Sequence, residues 1–265
     1  MKKEFSNVFK IAPPLIKDGV YYYDSQDAGD QFSLEEVVDT YNNGFFKKVF
    51  NNGRTIHREV FNILAEKVNE INKPYMEISC GPGLGLAPFI KNINPNLPAL
   101  ITDACPYIIE YWHKYTKDNN IKVDFSFASF DNSCMPIKDN SIDVITSYLG
   151  ISSTRTNGED EMNCLKELYR VLKHGGYVFT IENEIANYED VELIFEKTNR
   201  FNYYHDKKVI GTLEQRIEKA GFTIFEKFDL GKTKIDIDQC ELGELASEFG
   251  IDVYFESKAF ILVKE

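Results

Sequence analysis

Three glycines at every second position, between a strand-like and a helix-like segment, constrain this chain most. Residues 75–85 read YMEISCGPGLG, in which an apolar segment with one acid, Glu77, runs into Gly81, Gly83 and Gly85. Only glycine lets a backbone turn tightly and also approach a ligand closely. The first N–H groups of the following helix have no partner inside that helix, so they are available to a ligand. This arrangement is typical of a nucleotide-binding loop at the end of a strand.

The spacing of the glycines distinguishes between ligands. A dinucleotide-binding loop has the pattern GxGxxG, whereas this loop reads GxGxG and Leu86 occupies the place of the third dinucleotide glycine. Glu77 lies before the loop and can accept a hydrogen bond from a cationic or hydroxylated ligand, but it would repel a pyrophosphate. A nicotinamide or flavin loop, and a glycine turn that binds nothing, remain as alternatives for this segment.

Composition indicates a well-packed globular protein. The 265 residues fit one α/β domain with extensions, or at most two small domains, and a hydrophobic fraction of 43% supports a sizeable core. The net charge of −12 disfavours binding to nucleic acid or to an anionic membrane surface. The five cysteines are widely spaced without a CxxC pair, which indicates neither a disulfide framework nor a metal site. Without a signal peptide or an apolar run long enough to span a membrane, we expect a cytoplasmic protein.

Strands and helices are predicted to alternate after residue 74. Strands are predicted at 76–80, 99–103, 123–129, 142–148, 177–182, 223–228 and 252–263. Helices are predicted at 86–93, 107–119, 159–173, 188–199, 213–220 and 239–249. This order implies an α/β fold with a doubly wound, mostly parallel, seven-stranded Rossmann-like sheet that carries an antiparallel edge strand.

The segment before residue 74 is predicted to form a helical cap. A capping box precedes a helix predicted at 34–50, and a second helix is predicted at 55–69. We expect residues 1–73 to form an N-terminal helical cap that belongs to the same domain as residues 74–265. Four tyrosines of this cap are candidates to close over a ligand, although they could instead pack on a surface seam: Tyr21, Tyr22, Tyr23 and Tyr41.

An acid also ends the second strand after the cap. Asp103 lies 18 residues after Gly85. An ionised carboxylate at this point can accept hydrogen bonds from two ribose hydroxyls, because both of its oxygens are acceptors. The alternative is an exposed carboxylate that caps the next helix. By itself Asp103 indicates an adenosine-like ligand and does not separate one cofactor from another.

Five segments, in the right order, resemble the motifs of a single family. They are the ExxCGPGxG loop at 77–85, the acid Asp103, the ASFDN segment at 128–132, NSIDV at 140–144 and ELYRVLKHGG at 167–176. Together they resemble the class I S-adenosylmethionine-dependent methyltransferases, in particular the small-molecule and quinone-type enzymes. The resemblance covers roughly residues 74–183. It departs from the family at His174, where proline is usual, and at Ser79, where glycine is frequent.

The resemblance implies that S-adenosylmethionine is the cofactor, that no metal is needed, and that a methyl group passes to a small-molecule acceptor by in-line displacement. It also implies that Asp131 faces the exocyclic amine of adenine, the alternative being an Asx turn that holds its own loop. The implied cofactor-binding residues are Glu77, Ser79, Cys80, Gly81, Pro82, Gly83, Gly85, Asp103, Ala104, Asp131, Asn132, Ser147 and Tyr148.

The resemblance does not identify catalytic residues, because methyl transfer of this kind requires no particular catalytic sequence motif. The sulfonium is already activated, so the protein chiefly holds the acceptor in line, and such positioning can supply about 7–11 kcal/mol. The catalytic candidates are Tyr148, which could instead be a wall residue, Glu182, which could instead be solvated, and His57. His205 is an equal candidate to His57.

Other functions remain as alternatives to catalysis on a small molecule. A protein that binds S-adenosylmethionine or S-adenosylhomocysteine without turnover, as a regulatory or partner protein, would carry the same cofactor motifs. A dinucleotide oxidoreductase is disfavoured by Leu86 and Glu77, and methylation of protein or RNA is disfavoured by the net charge. Neither the acceptor nor the oligomeric state leaves a motif in the sequence.

Overall fold

A single mixed sheet with helices on both faces organises the chain. The computed structural model describes residues 1–23, 32–156, 160–186, 188–198, 212–235 and 241–265. The strands of this part are β1 (Leu15–Lys17), β2 (Val20–Tyr22), β3 (Tyr75–Ile78), β4 (Ala99–Asp103), β5 (Phe125–Ser129), β6 (Ile142–Tyr148), β7 (Leu172–Ile185), β8 (Thr223–Lys234) and β9 (Tyr254–Val263). The helices are α1 (Leu34–Asn42), α2 (Phe45–Asn52), α3 (Arg58–Ile71), α4 (Ala87–Ile93), α5 (Pro106–Asp118), α6 (Asp160–Val171), α7 (Tyr188–Thr198), α8 (Leu213–Lys219) and α9 (Glu241–Phe249).

The order of the strands confirms the predicted fold class. It is β1-β2-β5-β4-β3-β6-β7-β9-β8, with β2, β5, β4, β3, β6 and β7 parallel and with β1, β8 and β9 antiparallel to their neighbours. Helices α3, α4 and α5 pack on one face of the sheet, and α6 and α8 pack on the other. No helix of the described residues is long and apolar enough to cross a bilayer.

The N-terminal segment departs from the predicted helical cap, because part of it joins the sheet. Strands β1 and β2 form a hairpin whose turn has positive φ at Asp18 and Gly19. Strand β2 then pairs in parallel with β5, so that Tyr21 lies opposite Ala128. The predicted seven strands therefore become nine among the described residues: the hairpin supplies β1 and β2, and each of its strands is too short to show an alternating pattern.

Two helix predictions are also corrected. The helix predicted at 34–50 is two helices, since Gly44 adopts φ +80 between α1 and α2 and turns the chain, while the predicted capping box at Ser33 is present. The helix predicted at 159–173 ends at Val171, and Gly175 and Gly176 lie inside β7 rather than at the helix end.

A buried lysine caps the end of α6, so the helix does not need Gly175 and Gly176 to end it. Lys264 is 4% exposed, and its Nζ donates to the carbonyl oxygens of Tyr169 and Leu172 at 2.7 and 2.9 Å. The last carbonyls of a helix have no partner within the helix, and a cation is also favoured there by the helix dipole. The C-terminal strand therefore supplies the cap.

The last three strands extend beyond the carboxyl edge of the parallel strands. Strand β7 pairs with β6 as far as Ile181 and continues to Ile185 while still paired with β9, and β8 follows β9 over the same stretch. Helices α7 and α9 pack together there around a separate small core, formed by Val191, Ile194, Ile235, Leu245, Ala246 and Val253. We refer to this unit as the α7/α9 wall, and it stands beside the edge where ligands bind in open α/β sheets.

The ELYR part of the motif at 167–176 fixes the loop that follows β5. Arg170 donates to the carbonyl oxygens of Ile137 and Met135 and to the carboxylate of Glu167. Glu167 in turn accepts the Met135 N–H at 2.8 Å. Helix α6 thus holds residues 135–137, and through them the segment that carries Asp131.

We expect Arg170→Leu to lower the free energy of unfolding by about 2–3 kcal/mol, because it removes charged hydrogen bonds and leaves Glu167 unpaired. Urea unfolding followed by circular dichroism measures this change. The matched control is Lys173→Met, three residues further along the chain at the start of β7. Its bridge to Asp143 joins side chains that are 43% and 32% exposed, so its loss should cost at most about 0.5 kcal/mol. Equal losses in the two variants would contradict this role of Arg170.

Candidate functional site

The glycine loop lies where the carboxyl ends of β3, β4 and β6 meet. Gly81 and Gly85 adopt φ +51 and +50, which side-chain-bearing residues rarely do, and Ser79 and Leu84 share this left-handed conformation. The loop is also held from the side, because the indole Nε1 of Trp112 in α5 donates to the Gly81 carbonyl oxygen at 2.8 Å. The backbone of the loop is therefore fixed by the protein itself.

Glu77 lies beneath the loop rather than facing a ligand. Its carboxylate is fully buried, and Oε2 accepts the Leu86 N–H at 3.1 Å and the Thr146 hydroxyl at 2.7 Å. A Cβ at Gly85 would lie 1.8 Å from Oε1 of Glu77, so the third glycine makes room for this carboxylate. Burial raises the pKa of Glu77 to about 8. Glu77 thus supports the loop and the start of α4.

Asp103 connects the loop to the next helix. Its Oδ2 accepts the Gly81 N–H and its Oδ1 accepts the Cys105 N–H, both at 2.8 Å. This combines the predicted ligand position with the predicted helix-capping role. Each carboxylate oxygen can accept more than one hydrogen bond, so Asp103 keeps acceptor capacity for hydroxyl groups. Burial raises its pKa to about 6.

Asp131 and Asn132 lie at the end of β5 with distinct contacts. Oδ1 of Asp131 accepts the backbone N–H and the hydroxyl of Ser133, which is the Asx turn given as its alternative. Asn132 is 3% exposed, donates to the Ser79 hydroxyl at 2.7 Å, and has a buried Oδ1 without a partner in the described part of the chain. An orphaned buried acceptor of this kind calls for a donor from a ligand or a water.

Ser147 and Glu182 shape the turn after β6. The Ser147 hydroxyl accepts the Gly150 N–H at 3.0 Å. Glu182 is 1% exposed rather than solvated, and it accepts the N–H groups of Ile151 and Ser152 at 3.2 and 2.8 Å. Its oxygens therefore cap the short 3-10 helix at Ser152–Thr156. Burial raises the pKa of Glu182, and this buried position favours a structural role over proton transfer.

An arginine that the sequence motifs did not single out lies beside the loop. The Arg54 guanidinium carbon is 4.6 Å from the ring centroid of Tyr148, and a Cβ at Gly83 would lie 2.1 Å from its Nη2. Its Nε is buried and has no hydrogen-bond partner among the described residues. Tyr148 also contacts Phe61 of α3 at 5.2 Å between ring centroids, so Tyr148 forms an aromatic wall with a cation over it.

His57 lies immediately before the first residue of α3. It precedes the helix with φ +54, a strained value for such a residue, and its carbonyl accepts the Phe61 N–H at 3.1 Å. Burial lowers the pKa of its half-buried imidazole. The other histidine candidate, His205, lies outside the described residues.

Three further predicted residues complete the edge. Cys80 is buried, its N–H donates to the Thr102 carbonyl at 3.0 Å, and burial raises its pKa. The Ala104 carbonyl accepts the Ser129 hydroxyl at 3.2 Å, which joins β4 to β5. Pro82 is half-buried between Gly81 and Gly83. Cys80 and Ala104 thus act through the backbone and through packing.

The tyrosines of the N-terminal segment make contacts of the surface-seam kind. Tyr21 and Tyr23 pack on Phe9 at 5.3 and 5.5 Å between ring centroids. Tyr41 packs on Tyr111 of α5 at 5.1 Å. Tyr22 lies against the core on the α5 face. Their rings are already engaged in aromatic packing, which does not favour a closing role.

Known proteins resemble this chain in sequence motif and in fold. Residues 76–180 match a family model described as a methyltransferase domain. A candidate sarcosine dimethylglycine methyltransferase from Galdieria sulphuraria is 14% identical with a TM-score of 0.55, over 78% of this chain and 86% of that chain. A geranyl diphosphate methyltransferase solved with SAM is 10% identical with a TM-score of 0.52, over 90% and 93%.

A candidate methyltransferase from Bacillus halodurans is 16% identical with a TM-score of 0.51, over 76% of this chain and 98% of that chain. No curated protein sequence matches this chain significantly. Identities this low carry the fold alone. The match over residues 76–180 spans β3 to β7 and includes the loop, Asp103, Asn132 and Ser147.

We expect Glu77→Gln to flatten the dependence of stability on pH. A carboxyl with a raised folded pKa contributes stability that is full below its ordinary pKa of 4.5 and is lost as the pH rises through about 8. Asp103 behaves likewise but only up to about pH 6. Between pH 6 and 8 the unfolding free energy of the unmodified protein should therefore fall more steeply than that of the variant.

Urea unfolding at closely spaced pH values measures the two slopes. Glu110→Gln, at an exposed glutamate on α5, is the matched control and should keep the slope of the unmodified protein. Parallel curves for the unmodified protein and Glu77→Gln would show that Glu77 does not ionise in this range.

Proposed function

We propose that this chain, whose residues 76–180 match a methyltransferase domain, is a class I S-adenosylmethionine-dependent methyltransferase and that it methylates a small-molecule acceptor by in-line displacement. The observation that carries the proposal is the grouping of Asp103, the glycine loop and Arg54 at one edge of the sheet. A carboxylate, a glycine backbone and a guanidinium whose Nε has no hydrogen-bond partner among the described residues stand there together. These groups match the ribose, the adenosine body and the amino-acid end of the cofactor.

The residues at this edge fit the cofactor by chemistry. Asp103 would accept from the ribose hydroxyls while it holds Gly81, and the orphaned Oδ1 of Asn132 offers an acceptor next to the adenine-side loop. The Arg54 guanidinium packs directly against Gly83, where a Cβ would lie 2.1 Å from Nη2, so the glycine makes room for this side chain at the loop. Arg54 would pair with the carboxylate of the methionine end, because a guanidinium presents a planar fork of donors that suits a carboxylate. Glu77 acts on the cofactor only through the loop.

In the proposed mechanism the protein mainly positions the acceptor. The bound sulfonium supplies an activated methyl group. Tyr148, which packs on the fully buried Phe61, provides an aromatic wall that can orient an acceptor beside the loop, and such orientation can supply about 7–11 kcal/mol. His57 supports base catalysis where the acceptor must lose a proton, since its lowered pKa leaves the imidazole neutral near pH 7. Glu182 would keep the turn after Tyr148 in place.

Three observations support a small molecule as the acceptor. The α7/α9 wall rises beside the carboxyl edge and limits the approach of a large substrate. The net charge of −12 disfavours nucleic acid. Two of the proteins with the same fold carry names that refer to small-molecule acceptors, sarcosine or dimethylglycine in one case and geranyl diphosphate in the other.

Turnover tests the proposal directly. We expect the protein to form S-adenosylhomocysteine from S-adenosylmethionine only when a fractionated small-molecule pool is added, and chromatography with mass detection would quantify it. Asp103→Ala should abolish this formation, because the ribose acceptors are lost. Asp118→Ala, at an exposed carboxylate at the end of α5, should retain it.

Tight binding of S-adenosylmethionine without turnover on any pool would support the non-catalytic binding protein instead.

We expect Arg54→Ala to weaken the binding of S-adenosylhomocysteine about 10- to 100-fold, the cost of a lost charged hydrogen-bonded pair. Methylthioadenosine lacks the amino-acid end, so its affinity should not change. Trp112 is the single tryptophan of the chain and bonds to Gly81, which makes its fluorescence a readout of both titrations.

Arg58→Ala is the matched control for this titration. The Arg58 side chain donates to the Asn52 carbonyl on the exposed surface of the same region, and its loss should leave both affinities unchanged. Equal weakening of both ligands by Arg54→Ala would instead mean that Arg54 supports the loop and does not bind the carboxylate.

A further inference from the structure

An apolar groove lies on the face of the sheet that carries α3, near the amino ends of the strands. Its volume is about 280 Å³, and it is lined by Tyr177, Phe179 and Ile261 of the sheet and by Ile71 of α3. Tyr177 is level with the first residues of β3 and β6, whereas the glycine loop lies at the opposite edge. The groove is therefore separate from the proposed cofactor site.

A phenylalanine projects from the rim of this groove into solvent. Phe225 is 65% exposed, the largest exposed fraction among the large apolar side chains described. It is the extra residue of a β-bulge, because Ile224 pairs with Leu262 and Glu226 pairs with the next residue, Ile261. A bulge re-aims a side chain, and here it places the ring 6.4 Å from that of Tyr177. An exposed aromatic beside an apolar groove is costly unless a partner covers both.

Charges of both signs flank the groove on α3. Lys67 bridges to Glu226 at 2.9 Å, and Glu70 is exposed without an ion-pair partner among the described residues. The two residues are three positions apart and lie on one side of the helix, since both line the groove. If two α3 helices met antiparallel, Lys67 of each would face Glu70 of the other.

We propose that this face is the two-fold interface of a homodimer. An isologous contact requires one surface to carry both members of every complementary pair. This surface does so twice, with a projecting ring beside a groove and with a lysine beside a glutamate. Phe225 of each copy fills the groove of its partner, and Lys67 and Glu70 form two reciprocal ion pairs across the axis. A ligand or an unrelated protein would need only one member of each pair.

Sedimentation velocity over a nanomolar to high-micromolar series tests this interface. We expect a species of twice the chain mass of 30.5 kDa, with a dissociation constant that Phe225→Asp raises at least about tenfold. Ile11→Asp is the control, since it alters a residue that is 56% exposed near the opposite edge of the sheet and should leave the dimer intact. Circular dichroism would check that each variant is folded.

Charge reversal gives a second, independent reading. Glu70→Lys should weaken the dimer, because each Lys67 then faces a lysine across the axis. Adding Lys67→Glu and Glu226→Lys in the same chain should restore it, since the pairs across the axis and the bridge between positions 67 and 226 are formed again with reversed sign. A chain that stays monomeric throughout the series, or a dimer that Phe225→Asp leaves unchanged, would overturn the proposal. Failure of the complete reversal to restore the dimer would overturn the antiparallel arrangement of α3.

Discussion

Two buried carboxylates hold the glycine loop, and the rest of the site depends on them. Glu77 accepts hydrogen bonds from the Leu86 N–H, just before α4, and from the Thr146 hydroxyl of β6. Asp103 accepts hydrogen bonds from the Gly81 N–H and from the Cys105 N–H, just before α5. A buried carboxyl group loses its solvation, which hydrogen bonds offset in part and which also raises its pKa, to about 8 for Glu77 and about 6 for Asp103. Three strands and two helix starts are thereby joined at one point, so the loop holds its shape without a ligand. Arg54 and Tyr148 then lie beside a backbone that is already in place.

The core of the fold could be predicted because its strands are buried on both sides. The predicted strands at 99–103 and 142–148 match β4 and β6 residue for residue, and most of their residues are buried, as in strands that helices cover on both faces. The hairpin β1–β2 escaped prediction because each of its strands has three residues, too few to show a period. The end of α6 differs from its prediction for another reason: Gly175 and Gly176 indicate a helix end nearby, but the residue that caps α6, Lys264, is distant in sequence.

The candidate site likewise has features that a short sequence segment predicts and features that depend on residues far apart in sequence. The motifs place Asp103, Asn132 and Ser147 at or near the carboxyl ends of β4, β5 and β6, because each lies in a recognisable segment. They could not show that Glu77 faces the loop instead of the ligand, or that Glu182 is buried under a turn, since both facts depend on neighbouring strands. Arg54 was missed because its position follows from the path of the chain between α2 and α3, and no local pattern marks it. That the Nε of Arg54 has no hydrogen-bond partner among the described residues is visible only in the structure.

The α7/α9 wall and the glycine loop come from different parts of the chain. Residues 76–180, which match the methyltransferase family, contain the loop and its carboxylate supports, whereas α7 and α9 lie after them in connections that follow β7 and β8. The wall also has its own small core, so its side chains can change without disturbing the packing under the loop. Related proteins could therefore change their acceptor specificity by substitutions in these two connections, while the residues around the glycine loop stay the same. For an engineer, the same division marks where a library of variants should begin.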